Sequence, residues 1–390
     1  MAKVTAFAPL DMTTLDFVWN STGNNAVEAN FLISVLPGLT RFGSYFGAFT
    51  PGFIPSGTIT LYFEDNLAQV KRWQIEGIAL DATFAISNTI LNNDKAVFSA
   101  ALAGDDTFIG SSGRDIFPGW TGVNIYRGNG GNDIFLGNTT LNQDIALYSG
   151  VSKFFSIGTR SDGAIAIEDR TGVEGVDGMG GVAKAVFSDQ TINLSWLTTA
   201  RKATEGQIHD LLDMYVAYFD RAPDALGINY WASRLVDGMT LQEIARSFFV
   251  QPETLAAYPP GMTTTAFVTQ VYANALGRTP DAAGLTYWVN DLDIGVQTRD
   301  AFMLAIIYGA RAETGSPADA AYLRNKGTVG EYFAFTKGLG DTAWANQAMD
   351  GVTADMATVG TAEALVDGFV HLAETTDPHL MLPVLGITPN

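Results

Sequence analysis

Four residues set the chemistry this chain could do. Asp106, Asp115, Asn124 and Asp133 follow one another at a constant step of nine. Gly104, Gly113, Gly122 and Gly131 keep the same step, as do Gly110, Gly119, Gly128 and Gly137. Aromatic rings keep it at Phe108, Phe117, Tyr126 and Phe135. Each unit therefore reads Gly-x-x-Gly-x-Asp-x-aromatic-x. The glycine-rich half turns tightly, because glycine accepts positive φ. The half around the aromatic suits a short strand with its ring turned inward. Two units close one coil, so each unit stacks on the next but one, as in a parallel β-roll. Stacked turns crowd carboxylates and carbonyls together. Those are hard oxygen ligands, and the cation they suit is Ca²⁺, with one or two ions expected. These four residues are the candidate metal ligands.

The stretch resembles the calcium-binding RTX family, whose consensus is Gly-Gly-x-Gly-x-Asp-x-hydrophobic-x. The resemblance implies that Asp106 stacks with Asn124 and Asp115 with Asp133. It covers four units, residues 101–136. The second consensus glycine is Ser111, Trp120 or Asn129 here, and Asn124 stands where the family has Asp. Arg114 and Arg127 add positive charge. A metal-free roll held by its aromatic stack is the alternative. Asp144-Ile-Ala-Leu-Tyr-Ser-Gly150 looks like the strand that closes such a roll, and 161–170 and 175–189 look like further β segments. Asp177 and Asp189 read as turn or cap residues.

The flanks have different textures. Residues 1–100 carry short apolar or alternating runs, such as Phe31–Leu36 and Thr58–Phe63. Pro37, Gly38, Pro51, Gly52, Pro55 and Gly57 punctuate them. That predicts an antiparallel β domain of sandwich or jelly-roll type. Beyond 200, apolar residues recur at three and four, which predicts helices.

The helical part is duplicated at an offset of 57. Arg221-Ala-Pro-Asp224 matches Arg278-Thr-Pro-Asp281, Gly227 matches Gly284, and Tyr230-Trp231 matches Tyr287-Trp288. The first helix shows a stripe of Ile208, Leu211, Leu212, Tyr215 and Phe219. Arg221 is placed to meet that helix's last carbonyls, and Asp224 to cap the next helix. Thr240-Leu-Gln-Glu243 reads as a capping box. The Tyr-Trp pairs could form a sugar platform, but Trp231 and Trp288 lie in phase with Leu235 and Leu292, which predicts core packing. The repeats resemble a helical family of unassigned function, common in exported alphaproteobacterial RTX-type proteins. Related arrangements anchor surface layers to lipopolysaccharide, and capsule-binding head spikes of phage-like particles are of this general kind.

The expected fold class is α+β and multidomain. Its parts are a β domain over 1–100, the roll and flanking β segment over 101–198, the duplicated helical domain over 199–318, and a helical tail over 319–390. The chain has 22 basic and 41 acidic residues among 390, a net charge of −19. So acidic a chain is a poor partner for nucleic-acid backbones. It has no cysteine, which excludes disulfides and thiolate chemistry. Its histidines are His209, His371 and His379, too few for a His-rich metal centre. No apolar run is long enough for a membrane helix, and Met1–Asp11 does not read as a Sec signal. Export without a cleaved signal, release by lysis, or carriage on a phage-like particle is expected, with a cytosolic home the alternative. No catalytic motif is found, so no catalytic residue is assigned. A carboxylate-pair glycosidase would leave no motif. The expected function is attachment, by binding capsule or lipopolysaccharide without cleaving it. No residue is assigned to that binding. An oligomer, or a structural partner protein, would supply avidity. The alternatives are an assembly protein whose helical repeats bind another protein, and a polysaccharide hydrolase.

Overall fold

Alternating runs followed by three-and-four spacing call for a sheet first and packed helices afterwards. The computed structural model describes residues 2–6, 28–34, 40–50, 56–65, 71–81, 94–138, 140, 143–160 and 163–385, with the strands between 28 and 81 described by backbone course apart from Gln74. The chain is mixed, β-rich first and helical afterwards. It forms two compact units, residues 1–152 with 164–195, and 153–163 with 196–390.

The first unit opens with β1 (Lys3–Ala6). Then β2 (Glu28–Ser34), β3 (Thr40–Thr50), β4 (Ser56–Asp65) and β5 (Lys71–Asp81) pair antiparallel in sequence order. The antiparallel pairing follows the alternation, and among the described residues these strands make a meander in one sheet rather than the two sheets of a sandwich. The turns assigned to Pro37, Gly38, Pro51, Gly52 and Pro55 lie outside the described residues. Helix α1 (Asp94–Ala101) leads into the nine-residue repeat.

Each repeat contributes one three-residue strand: β6 (Thr107–Ile109), β7 (Ile116–Pro118), β8 (Ile125–Arg127) and β9 (Ile134–Leu136). Strand β6 pairs parallel with β8, Thr107 opposite Ile125, and β7 with β9, Ile116 opposite Ile134. Both registers are 18 residues, so alternate units build opposite sheets. The first ladder continues through β10 (Asp144–Leu147). After β11 (Phe155–Arg160), which belongs to the second unit, come β12 (Ile165–Asp169) and β13 (Val176–Gly180). Strand β13 extends the second ladder from β9 and turns it back antiparallel on β12. Strands β14 (Val182–Val186) and β15 (Thr191–Asn193) extend the first. Between the ladders the rings of Phe108, Phe117, Tyr126 and Phe135 are at most 1% exposed. Phe108 and Tyr126 stack at 5.2 Å, as do Tyr126 and Phe135. Gly175 shows why the turns need glycine: its φ is +79°, and a Cβ there would run into the Gly131 carbonyl.

Helix α2 (Leu194–Ala200) leads into the second unit. Three helices follow: α3 (Glu205–Phe219), α4 (Ala225–Val236) and α5 (Leu241–Phe249). After the short α6 (Pro252–Ala257) they recur as α7 (Thr264–Leu276), α8 (Ala282–Asp293) and α9 (Arg299–Arg311). The chain ends in α10 (Pro317–Glu331), a π-helical turn at Tyr332–Thr336, α11 (Thr342–Met349), α12 (Ala357–Thr375) and β16 (Val384–Leu385), which pairs with β11. Asp224 and Asp281 cap α4 and α8 by accepting the Gly227 and Gly284 N–H groups at 2.6 and 2.9 Å. Thr240 and Glu243 form the capping box of α5.

The motif arginine does not bond the last carbonyls of its own helix. Arg221 forks onto Glu253, with Nε and Nη2 at 2.7 and 2.9 Å from its two oxygens. Arg278 forks onto Asp319 in the same way, at 2.8 and 2.7 Å. Both acids sit in the first turn of a helix that opens with proline, where negative charge also meets the helix dipole. Each guanidinium lies over a tyrosine ring, Tyr215 or Tyr272. The motif thus clips each copy to the helix after it.

Candidate functional site

Because the repeat sets one carboxylate or amide per unit on each ladder, the stacked units bring those side chains together in columns. In the first column Asp106 Oδ1 accepts the Ala2 N–H at 2.7 Å, Asn124 Oδ1 accepts the Asp106 N–H at 3.1 Å, and Asp144 Oδ1 accepts the Asn124 N–H at 2.9 Å. In the second, Asp133 Oδ1 accepts the Asp115 N–H at 2.7 Å and Asp177 Oδ1 accepts the Asp133 N–H at 2.9 Å. All six side chains are buried, the most exposed being Asp106 at 3%. The pairs Asp106 with Asn124 and Asp115 with Asp133 do stack.

The second oxygens differ. Asp115 Oδ2 accepts from Ser111 N and Oγ at 2.7 and 3.0 Å. Asp144 Oδ2 accepts from Tyr126 Oη and Asn138 N, and Asp177 Oδ2 from Tyr148 Oη. Asp106 Oδ2 and Asp133 Oδ2 are buried without a hydrogen-bond partner. Burial pushes the Asp133 carboxyl up to about 8, and the charges of Asp177 and Asp115 add to that. Burial also raises Asp177 to about 6, and raises Asp106. A buried carboxylate with an unmatched oxygen needs a proton or a cation. The oxygen-only donor set is the chemistry that a hard cation takes. Among the described residues, however, no three acidic or histidine side chains gather as a metal-holding group. The residues that depart from the repeat consensus also supply hydrogen-bond donors. Ser111 serves Asp115, and Asn129 Nδ2 donates to the Gly110 carbonyl at 2.6 Å.

Asp144 and Asp177 escaped sequence reading as members of these columns. The sequence offers Asp177 only as a turn or cap residue. It lies 44 residues past Asp133 rather than 18, so an insertion of 26 hides the step. The local signal survives: Gly175-Val-Asp177-Gly-Met179 repeats Gly131-Asn-Asp133-Ile-Phe135. Asp189 caps a turn as expected, accepting from Ser152 N and Oγ at 2.8 Å.

The helical unit holds a second candidate, a cleft of about 390 Å³ between α3, α10 and α12. Its lining includes His209, Asp213, Arg311, Arg324, Tyr332 and Glu363. Arg311 pairs with both Asp210 and Asp213 and donates to the His209 carbonyl at 2.9 Å. Burial raises Asp213 to about 6, and Arg311 offsets part of that rise. Tyr332 is held by its hydroxyl, which donates to Asp367 at 2.9 Å, and Lys337 bridges to the same carboxylate. A fixed ring beside mixed donors and acceptors suits a polyhydroxyl ligand. No sequence spacing announces this cleft, because its lining comes from five separate elements.

The Tyr-Trp pairs divide. Trp231 and Trp288 are half-buried and pack edge-on to Phe248 and Phe302, at 5.2 and 5.1 Å. Trp288 Nε1 donates to Tyr272 Oη at 3.1 Å. Tyr287 is 58% exposed.

Comparison with known families places residues 245–310, from the end of α5 to α9, in a match to a domain of unknown function, DUF4214. A comparison with curated proteins finds no match. Among the described residues no helix is long and apolar enough to cross a membrane.

Proposed function

We propose that this chain is a non-catalytic attachment protein that binds bacterial surface polysaccharide, capsule or lipopolysaccharide, through the cleft of its helical unit. The observation that carries the reading is Tyr332, a ring fixed at the wall of a cleft of about 390 Å³ that mixes apolar lining with the polar side chains of Arg324, His209 and Glu363. Sugars present hydroxyls to such donors and acceptors and apolar C–H faces to rings. The repeat region would serve as an RTX-like β-roll. The 18-residue parallel registers and the inward ring stack support that reading. Ca²⁺, when bound, would neutralise the buried acids, with Asp115 and Asp133 holding it and Asp106 and Asn124 offering a second position. Such a protein would work at a cell surface or on a phage-like particle. It would act in several copies, since single sugar sites bind weakly.

The test is titration of the intact protein with purified capsule and O-antigen, followed by adsorption to cells with and without each. Binding that weakens about tenfold or more in Arg324→Ala and Tyr332→Ala, with folding intact, is expected. Equal adsorption to all cells would sink the reading. Release of reducing ends from the polysaccharide would replace attachment with hydrolysis.

A further inference from the structure

The two helical copies are alike in sequence and unlike in cover. In the first, α4 buries Ala225, Ile228, Asn229, Ala232, Ser233 and Leu235. In the second, α8 buries none of its residues.

The cover on α4 is specific. Trp196 sets its ring edge-on to Tyr230, with centroids 4.8 Å apart. Arg201 donates to Asn229 Oδ1 at 3.1 Å and lies over the Phe335 ring. The Leu339 carbonyl accepts the Ala225 N–H at 2.9 Å. The positions equivalent to Tyr230, Asn229 and Ala225 are Tyr287, Thr286 and Ala282, and all three are exposed.

Two substitutions run against what solvent favours. Asp237, exposed in the first copy, is replaced by Ile294, which is 64% exposed. Met239, partly covered, is replaced by Val296, which is 66% exposed. Apolar residues gathered at one helix end mark an interaction surface more often than a solvated one. The charges change as well. Arg234 becomes Asp291 and Val236 becomes Asp293, so the rim of this face is acidic.

We infer that the exposed face of α8, with Tyr287, Ile294 and Val296, docks a short helix of a partner protein that carries an aromatic side chain and basic residues. The occupant's chemistry is read from inside the molecule. On the first copy the part of this face around Tyr230 and Asn229 is taken by a helix bearing Trp196 and followed by Arg201 and Lys202. The acidic rim favours a basic partner and opposes a second copy of a chain with net charge −19. This inference is independent of the polysaccharide reading, since neither Tyr287 nor Ile294 lines the cleft.

The probe is a helix-stabilised, fluorescently labelled peptide of residues 194–203, titrated against the intact protein by anisotropy. Saturable binding is expected, weaker at high salt. It should fall about tenfold or more with Tyr287→Ala and with Trp196→Ala in the peptide, and less with Ile294→Asp, which lies beside the place the segment takes on the first copy. Ile294→Asp restores the residue type that the first copy carries, and a melting curve checks that it folds. Absent binding, or binding by Tyr287→Ala equal to that of the wild type, overturns the inference. Sedimentation of the intact chain supplies the other arm. A dimer that Ile294→Asp dissolves would make the occupant a second copy and overturn the partner helix.

Discussion

Asp133 accepts the backbone N–H of Asp115 through one carboxylate oxygen at 2.7 Å, while its other oxygen is buried without a partner. One acid thus both holds two coils together and carries an unmet demand for a proton or cation. In the sister column the middle position is an amide, and the unmatched oxygen is that of Asp106. Asn124 accepts the Asp106 N–H through Oδ1 and donates through Nδ2 to the Thr121 carbonyl at 3.2 Å.

Without metal, stability should therefore fall as pH rises. The folded Asp133 carboxyl titrates near 8 and the unfolded one near 3.8. Below the lower value both states are protonated. Between the two, only the folded state keeps the proton, so stability drops by up to about 1.4 kcal/mol per pH unit and levels off above 8. Asp177, raised to about 6, acts in the same sense over its lower window. Thermal melts in chelator from pH 4 to 9 should show this slope. Asp133→Asn should flatten it and raise the melting temperature at pH 8. A melting temperature that climbs with pH in the wild type would contradict the assignment.

Calcium should substitute for that proton. At pH 8, Ca²⁺ at about 100 times its dissociation constant should add about 2.7 kcal/mol. The gain should shrink toward pH 5, where the proton competes, and vanish in Asp133→Asn. Calorimetry that finds no Ca²⁺ uptake, alongside the pH slope just described, would leave a metal-free roll.

The two motif arginines should differ in cost. The Arg221 side chain is 7% exposed, that of Arg278 41%. Arg221→Ala removes a buried guanidinium but leaves Glu253, whose side chain is 41% exposed, free to hydrate, and should cost about 1 kcal/mol. Arg278→Ala leaves Asp319, whose side chain is 7% exposed, buried without its cation and should cost about 3 kcal/mol. Urea melts of the two variants decide it, and equal losses would show that the clips are equivalent.

Gly175→Ala should disturb the second column while the first stands. Alanine would sit at a strained positive φ and collide with the Gly131 carbonyl, costing upward of about 2 kcal/mol. Amide exchange should quicken around Asp133 and Asp177 and stay slow around Asn124 and Asp144. Unchanged exchange at Asp133 would mean that the backbone there yields more easily than its contacts suggest.

Much of this was legible wherever a period could be counted. The step of nine located the rings and four of the six column residues. The offset of 57 located both helical copies and their aspartate caps. What could not be counted was missed. Asp177 sits beyond an insertion, and Arg221 reaches an acid 32 residues on that no local rule selects. The cleft gathers residues from α3 to α12, so it exists only once the helices are packed. The meander was read as a sandwich because alternation along a strand says which residues share a face, and nothing about what faces it.

The small strands of the repeat also bear on polymerisation. A stack of parallel strands presents an open edge on which further strands can grow into filaments. Here β1 closes one side, pairing parallel with β6 and antiparallel with β5, so that the meander takes the place of a further coil. At the same end of the other sheet β7 is the edge strand among the described residues, and its last residue is Pro118. Proline has no N–H to offer an incoming strand. The nine-residue rhythm that builds the stack is therefore answered at this end by the meander in one sheet and by a proline in the other, so a further nine-residue strand meets no matching edge there.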